Sequence, residues 1–414
     1  MTAVPVLEDF EDDFDPFTAW ATVGGEGGIV DPYPELARLR REAPVQPIDL
    51  RAHFGVAIDQ SFTDLKPYVV LGYREVNQAL MDADNYSNKI YERNLGVTFG
   101  ATVTAMDKPE HATYRRLFQS AFTPLHLDAM RDRFQAVIDR LLLRFVDRGK
   151  ADLVQEFAFH FPFQFITDLM DLPVEHRALF HKIAFAQTTV GFSPGHGLEA
   201  SKRLGNYLEK LCEERRALKT EDDFMSVICN AEVEGERLPD EVVVSFFRQL
   251  MNAGGDTSYH GFSNVLTALF TNPDQFEAVR QDRSLIPQAI DEALRWNCPV
   301  MLLHRTPVRN VQLGGVDIEE GANLVICPGA ANRDEKEFPE PDKFDIFRER
   351  KRHMAFGFGS HVCIGQHLAR MELVMALNTL LDRLPNLRLD PDNEPPVVTG
   401  LAMRGAHSVH VVWD

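Results

Sequence analysis

The run Phe356-Gly-Phe-Gly359-Ser-His361-Val-Cys363-Ile-Gly365 sets one cysteine behind a glycine-rich turn. A thiolate is a soft ligand for a metal, and it forms where unpaired N–H groups or positive charge favour a negative sulfur. Ile364, Leu368, Met371, Val374, Leu377 and Leu381 follow at spacings of three and four, which predicts a helix with Cys363 near its N-terminus. The positive end of that helix's dipole is expected to lower the thiol's pKa. Gly357 and Gly359 allow backbone conformations closed to other residues and a close approach to a flat ligand. Phe356 is placed to shield the sulfur from water, and His361 puts a polar group in an otherwise apolar loop.

A second constellation lies upstream, in Ala253-Gly254-Gly255-Asp256-Thr257-Ser258. It interrupts one long apolar stretch, Val242 to Leu269, that reads as a single helix. Adjacent glycines inside a helix cost about 1 kcal/mol each relative to alanine, so they need a reason, and a groove in the helix is the one expected. A carboxyl and a hydroxyl side by side can pass protons. A mid-helix threonine can also simply bond back to the carbonyl four residues earlier, here that of Ala253.

Helices and a little sheet must position these groups. Leu127, Met130, Phe134, Val137, Leu141 and Phe145 predict one helix, opened by Thr123-Pro124 and stopped by Gly149. Tyr68 to Leu71 and Asn323 to Cys327 read as strands. The fold class is therefore mainly α with small β-sheets. Residues 1–28 crowd Glu8, Asp9, Glu11, Asp12, Asp13 and Asp15 ahead of Gly24 to Gly28, and a mobile segment is expected there. A net charge of −19 argues against nucleic-acid or anionic-membrane binding. No signal-type segment or run of about 18 apolar residues occurs, so a soluble cytoplasmic protein without a membrane anchor is expected. Five cysteines without clustered spacing indicate neither a disulfide framework nor a zinc site.

The cysteine run resembles the heme-binding loop of the cytochrome P450 family, meeting each fixed position at Phe356, Gly359, His361, Cys363 and Gly365. Other signatures of that family occur in order. Glu292-Ala-Leu-Arg295 matches its Glu-x-x-Arg helix, and Arg348 matches the third member of its buried charge network. His111 and Arg115, one helical turn apart, match its His-x-x-x-Arg pair, and Arg305 matches an arginine on a later strand. The 414 residues alone would suggest two or three domains; the resemblance instead implies one P450 domain over residues 29–414, with heme between the long distal helix and the helix after the cysteine loop.

The resemblance further implies heme b with Cys363 as its axial iron ligand. His111, Arg115, Arg305 and His361 would face the propionates, Phe356, Gly357 and Gly365 the proximal side, and Ala253 and Gly254 the distal side. Asp256 and Thr257 would relay the two protons that O–O cleavage requires, while the thiolate pushes electron density from the opposite side. The implied activity is a monooxygenase that uses O2 and electrons from NAD(P)H through a ferredoxin reductase and a ferredoxin. Arg115, Arg116, Arg350, Lys351, Arg352 and His353 would lie on the side where an acidic partner docks. By position, a lipophilic substrate (terpenoid, steroid, fatty acid or aromatic) would meet Phe99, Val103, Val190, Phe192, Phe246, Leu250, Val300, Leu302, Leu401 and Ala402. Peroxide-driven, coupling or rearrangement chemistry is the alternative, less favoured because such enzymes often lose the acid–alcohol pair; a non-catalytic heme sensor is a third reading.

Overall fold

The computed structural model describes residues 7–23, 28–191, 193–218, 223–233 and 235–414. The helices that concern the site are, in chain order, α1 (Pro16–Val23), α2 (Tyr73–Met81), α3 (Glu110–Ser120), α4 (Phe161–Leu169), α5 (Arg177–Ala186), α6 (Pro194–Leu218), α7 (Asp240–Phe270), α8 (Ile286–Trp296) and α9 (Gln366–Arg383). Helix α7 is central. Asp240 and Glu241 in its first turn suit the positive end of the dipole, and every residue from Ser258 to Phe270 is buried. A helix apolar on all faces belongs in a core. The largest cluster around it runs from Leu7 to Trp413 and is rich in phenylalanine.

One expectation about helices is corrected, and one gains a second reason. The stretch from Leu127 to Phe145 is not one helix but two, Pro124–Ala129 and Arg131–Leu142, separated at Met130. The adjacent glycines of α7 have a packing reason as well as the expected one. A Cβ on Gly254 would come within 2.6 Å of Ile166 Cδ1, and one on Gly255 within 3.2 Å of Phe163 Cδ2, both on α4. Their missing side chains let two helices approach closely.

The main sheet comprises β1 (Val45–Gln46), β2 (Pro67–Val70), β3 (Tyr86–Ser87), β4 (Leu303–Pro307) and β5 (Asn323–Ile326), ordered β1-β2-β5-β4-β3. The two strands expected from the sequence pair with each other, in parallel, Leu324 opposite Tyr68. On its other side β5 runs antiparallel to β4, with Leu324 opposite Arg305.

The expected mobile segment 1–28 is also corrected where it is described. Leu7 is buried, Phe14 stacks on His196 at 3.8 Å, and Phe17 packs on Phe159 and Phe185. Asp9 pairs with Lys182 at 2.9 Å and Asp12 with His196 at 2.9 Å, so the acidic run is fastened to α5 and α6. Its signal was present in the sequence: Phe10, Phe14 and Phe17 recur at helical spacing among the acids.

Candidate active site

The cysteine loop is held from several directions. Cys363 N donates to Phe356 O at 2.8 Å, and Met354 N donates to Asn332 Oδ1 at 2.6 Å. Gly357 and Gly359 have φ of +69° and +71°. A side chain at Gly359 would also run into the Leu80 carbonyl at the end of α2. The Phe356 ring lies under Arg370, 4.3 Å from the guanidinium carbon.

Cys363 is exposed, whereas the other four cysteines are buried. The expected lowering of its pKa is not met. Although the residue is open to solvent on one side, protein packed on the other desolvates the sulfur and pushes the thiol up, and the Gly365 N–H with Arg115 and Arg370 pulls it only partly back. Helix α9 starts three residues later, at Gln366, so its dipole acts at a distance. A metal ion at the sulfur would supply the missing drive, because coordination deprotonates a thiol outright.

Behind the loop, Glu292 and Arg295 on α8 form a bidentate pair, with Arg295 Nε to Glu292 Oε2 at 2.7 Å and Nη2 to Oε1 at 2.8 Å. Arg348 Nε reaches the same Oε1 at 3.2 Å. Arg295 also donates to the carbonyls of Asn332, Pro341 and Lys343. Because Asn332 in turn holds Met354, the charge network is tied to the cysteine loop through two bonds.

The four expected propionate partners come together. The His111 ring on α3 stacks on His361 at 3.8 Å, and Arg115, one turn later, donates to the Val362 carbonyl beside the cysteine. Arg305 on β4 donates to its neighbour's carbonyl, His304 O, at 2.7 Å and interacts with Tyr91. Burial lowers the pKa of Arg115 and Arg305, and no carboxylate among the described residues ion-pairs with either. His111 Nε2 is buried without a hydrogen-bond partner. Burial, reinforced by the nearby arginines, drops His111 to about 4 and His361, also beside His111, to about 2. Asp107 acts on His111 and Arg305 from a distance but ion-pairs with neither, and cations and neutral imidazoles so desolvated fit a bound group that brings two carboxylates, as heme does.

On α7, Ala253 is exposed and Thr257 Oγ1 donates to its carbonyl at 2.7 Å. Asp256 is pushed up by burial, partly countered by His260, whose Nδ1 lies 3.4 Å from Oδ1. That oxygen has no hydrogen-bond partner. A Cβ on Gly254, the residue expected at the cofactor, would meet Ile166.

Most of the expected substrate residues are accounted for by packing. Phe246 stacks face to face on Phe118 at 3.9 Å, and Leu401 and Leu302 lie in the cluster with Tyr33, Leu36 and Met301. Ala402 packs against that cluster, Phe99 is buried, and Val190 abuts Gly197 of α6. Val300 forms a bridge with Met403. Leu250 belongs to the main core, half-buried Val103 packs against it, and Phe192 lies outside the described residues.

Three contributors escaped sequence reasoning. Tyr91 and Asn332 carry no local signal. Glu372 did: four residues after buried Leu368, it places an acid on the buried face of α9, where it bonds Ser258 of α7 and is pushed up to about 8 by burial.

Comparison with known proteins agrees with this geometry. Residues 195–405 match the family model described as Cytochrome P450. Cytochrome P450 107B1 of Saccharopolyspora erythraea is 34% identical, covering 88% of this chain and 90% of that protein. The monooxygenase PikC of Streptomyces venezuelae is 31% identical over 88% of this chain and 87% of its own length. Among solved structures, CYP109E1 of Bacillus megaterium in complex with testosterone superposes with a TM-score of 0.82 at 28% identity, over 93% of this chain and 99% of that one. Members of the family are oxidoreductases that bind heme b through a cysteine thiolate. With the cysteine loop, the charge network behind it and the cluster of His111, Arg115, Arg305 and His361 brought together, the family match and the relatives show that the chain belongs to the cytochrome P450 family.

Proposed function

We propose that the protein is a monooxygenase that draws electrons from a ferredoxin and inserts one oxygen atom of O2 into a C–H bond of a lipophilic small molecule. The observation that carries this reading is the buried acid beside an alcohol, Asp256 next to Thr257, on the helix that also presents exposed Ala253. Cys363 would hold the heme iron, and His111, Arg115, Arg305 and His361 its propionates. The bound heme supplies dioxygen binding and O–O cleavage.

The protein's own part is to deliver protons and exclude water. With its pKa raised by burial, Asp256 can hold a proton nearer neutrality than an ordinary carboxyl, which suits a donor. The Thr257 hydroxyl is both donor and acceptor, so it can take a proton at Oγ1 and release another.

The ferredoxin reading draws support from the surface behind the cysteine loop. A cavity of about 150 Å³ there is lined by Arg350, Lys351 and Arg352, together with Arg348 and Arg370, which are paired with Glu292 and Asp291, and with Asp345 and Glu349. On a chain of net charge −19 such a patch suits an acidic partner. Among the described residues no helix is long and apolar enough to cross a membrane, which is compatible with a cytoplasmic location. A lipophilic substrate is supported by the testosterone complex named above and by a further structural relative bound to a fatty-acyl carrier protein.

The test is turnover with a surrogate ferredoxin system, comparing wild type with Thr257→Ala. Product formed per reduced nicotinamide should fall about tenfold or more while oxygen uptake continues. Unchanged coupling would remove Thr257 from the relay.

A further inference from the structure

The route by which protons reach Asp256 can be followed outward. Its carboxyl lines a cavity of about 10 Å³ together with Asn252, Tyr259, Phe159, Phe163 and His181. That volume is at the lower limit for one water. On the inner side, His260 Nδ1 is engaged with the Asp256 backbone carbonyl at 2.8 Å. On the outer side stands His181 of α5, stacked on Phe163 at 4.3 Å. Its ring centroid is 6.4 Å from that of His160, which is half-buried at the start of α4, with exposed Arg144 beyond. Phe17 of α1 covers the group, 5.1 Å from His181, 5.2 Å from Phe159 and 4.9 Å from Phe185.

We propose that His160 and His181 carry protons from solvent to Asp256, and that Phe17 is the cover over this path. The proposal rests on the reading of Asp256 as the proton donor. A neutral imidazole has one N–H and one lone pair, so it can accept a proton on its outer nitrogen and release one from its inner nitrogen. At 6.4 Å between centroids the rings cannot exchange a proton directly, so a water bridges each step; one proton moves inward per transfer, no electrons move, and the carboxylate of Asp256 receives it. Burial pulls His181 down to about 3. Burial therefore keeps the resting imidazole neutral at pH 7, so the path carries little standing charge. Lifting Phe17 would admit water and relax that penalty. The cover is held in place by the Asp9–Lys182 and Asp12–His196 pairs.

The holoenzyme bearing His181→Phe keeps an aromatic ring against Phe163 and loses both nitrogens; His181→Gln serves as the second variant. Product per reduced nicotinamide should fall about tenfold in each. The solvent deuterium isotope effect on turnover should rise, which a packing role would not produce. A second readout needs no turnover: labelling of His181 by diethyl pyrocarbonate, located by peptide mass spectrometry. In wild type His181 should label well below exposed His176, and in Phe17→Ala it should approach His176. Unchanged coupling and isotope effect in both His181 variants, with Asp256→Asn uncoupled, would overturn the path and leave the Asp256 reading intact. A fully coupled Asp256→Asn would overturn both. Equal labelling with and without Phe17 would overturn the cover.

Discussion

Glu292→Gln is the perturbation that most directly tests whether the buried charge network holds the cofactor loop. In the wild type Oε1 accepts from Arg295, Arg348 and Asp345 N, the last at 3.0 Å, while Oε2 accepts from Arg295 alone. The side chains of Glu292 and Arg295 are 6% and 3% exposed, so water cannot substitute. The amide nitrogen of glutamine must face one guanidinium N–H, losing a charge-assisted bond of about 1.5–3 kcal/mol. Two guanidinium groups then lack a counter-charge. Breaking a buried pair costs about 3–5 kcal/mol, and the three carbonyls that Arg295 retains argue for the lower end, about 3 kcal/mol. At about 1.4 kcal/mol per decade this raises the population with an open cysteine loop roughly 100-fold. Heme transfer to excess apomyoglobin, followed in the Soret band, should accelerate by that factor. Arg38→Ala removes an ion pair whose arginine is 48% exposed and should leave the rate unchanged. A Glu292→Gln rate within about threefold of wild type would place the network in the range of exposed ion pairs and refute the argument.

Other expectations follow from the same geometry. Cys363→His should abolish the strongly red-shifted Soret band of the reduced carbon monoxide complex; persistence of that band would overturn the ligand assignment. Glu372, pushed from 4.5 to about 8, keeps its proton in the fold where the unfolded chain loses it. Its contribution is therefore complete below pH 4.5 and is lost as pH rises to about 8. Glu372→Gln should leave the urea midpoint unchanged at pH 4 and raise stability at pH 8 by as much as about 4 kcal/mol; equal gains at both pH values would refute burial as the cause.

Much of the site was legible because its chemistry needs fixed residue types at short spacing. The cysteine loop, Glu292 with Arg295, and His111 with Arg115 each lie within one local segment. The glycine pair on α7 was only half legible, because a residue without a side chain records only that something comes close. Local sequence does not say whether that neighbour is a ligand or Ile166 of another helix. Cys363 misled: its apolar period begins at Ile364, but regular helix begins at Gln366, and desolvation outweighs a dipole that far away. Residues lining a substrate cavity are least legible, since an apolar side chain such as Phe246 or Leu401 also packs on protein neighbours, here Phe118 and Met301. The acidic N-terminal run was read by its charge, whereas its three phenylalanines decide where it goes.

The parallel pairing of β2 with β5 has a consequence for how the chain is made. Antiparallel neighbours can close with a hairpin, but β2 has to wait for a strand synthesised far later. At about 5–20 residues per second, the roughly 250 intervening residues take on the order of 10 to 50 s to emerge from a ribosome. During that interval the edge of β2 that pairs with β5 stays open, although early neighbours such as Leu36, Val76 and Leu80 can already pack against Tyr68, Val69 and Val70. A nascent chain with an apolar edge open for so long is a natural client for chaperones, and slower synthesis should favour soluble expression only if such a holder is present.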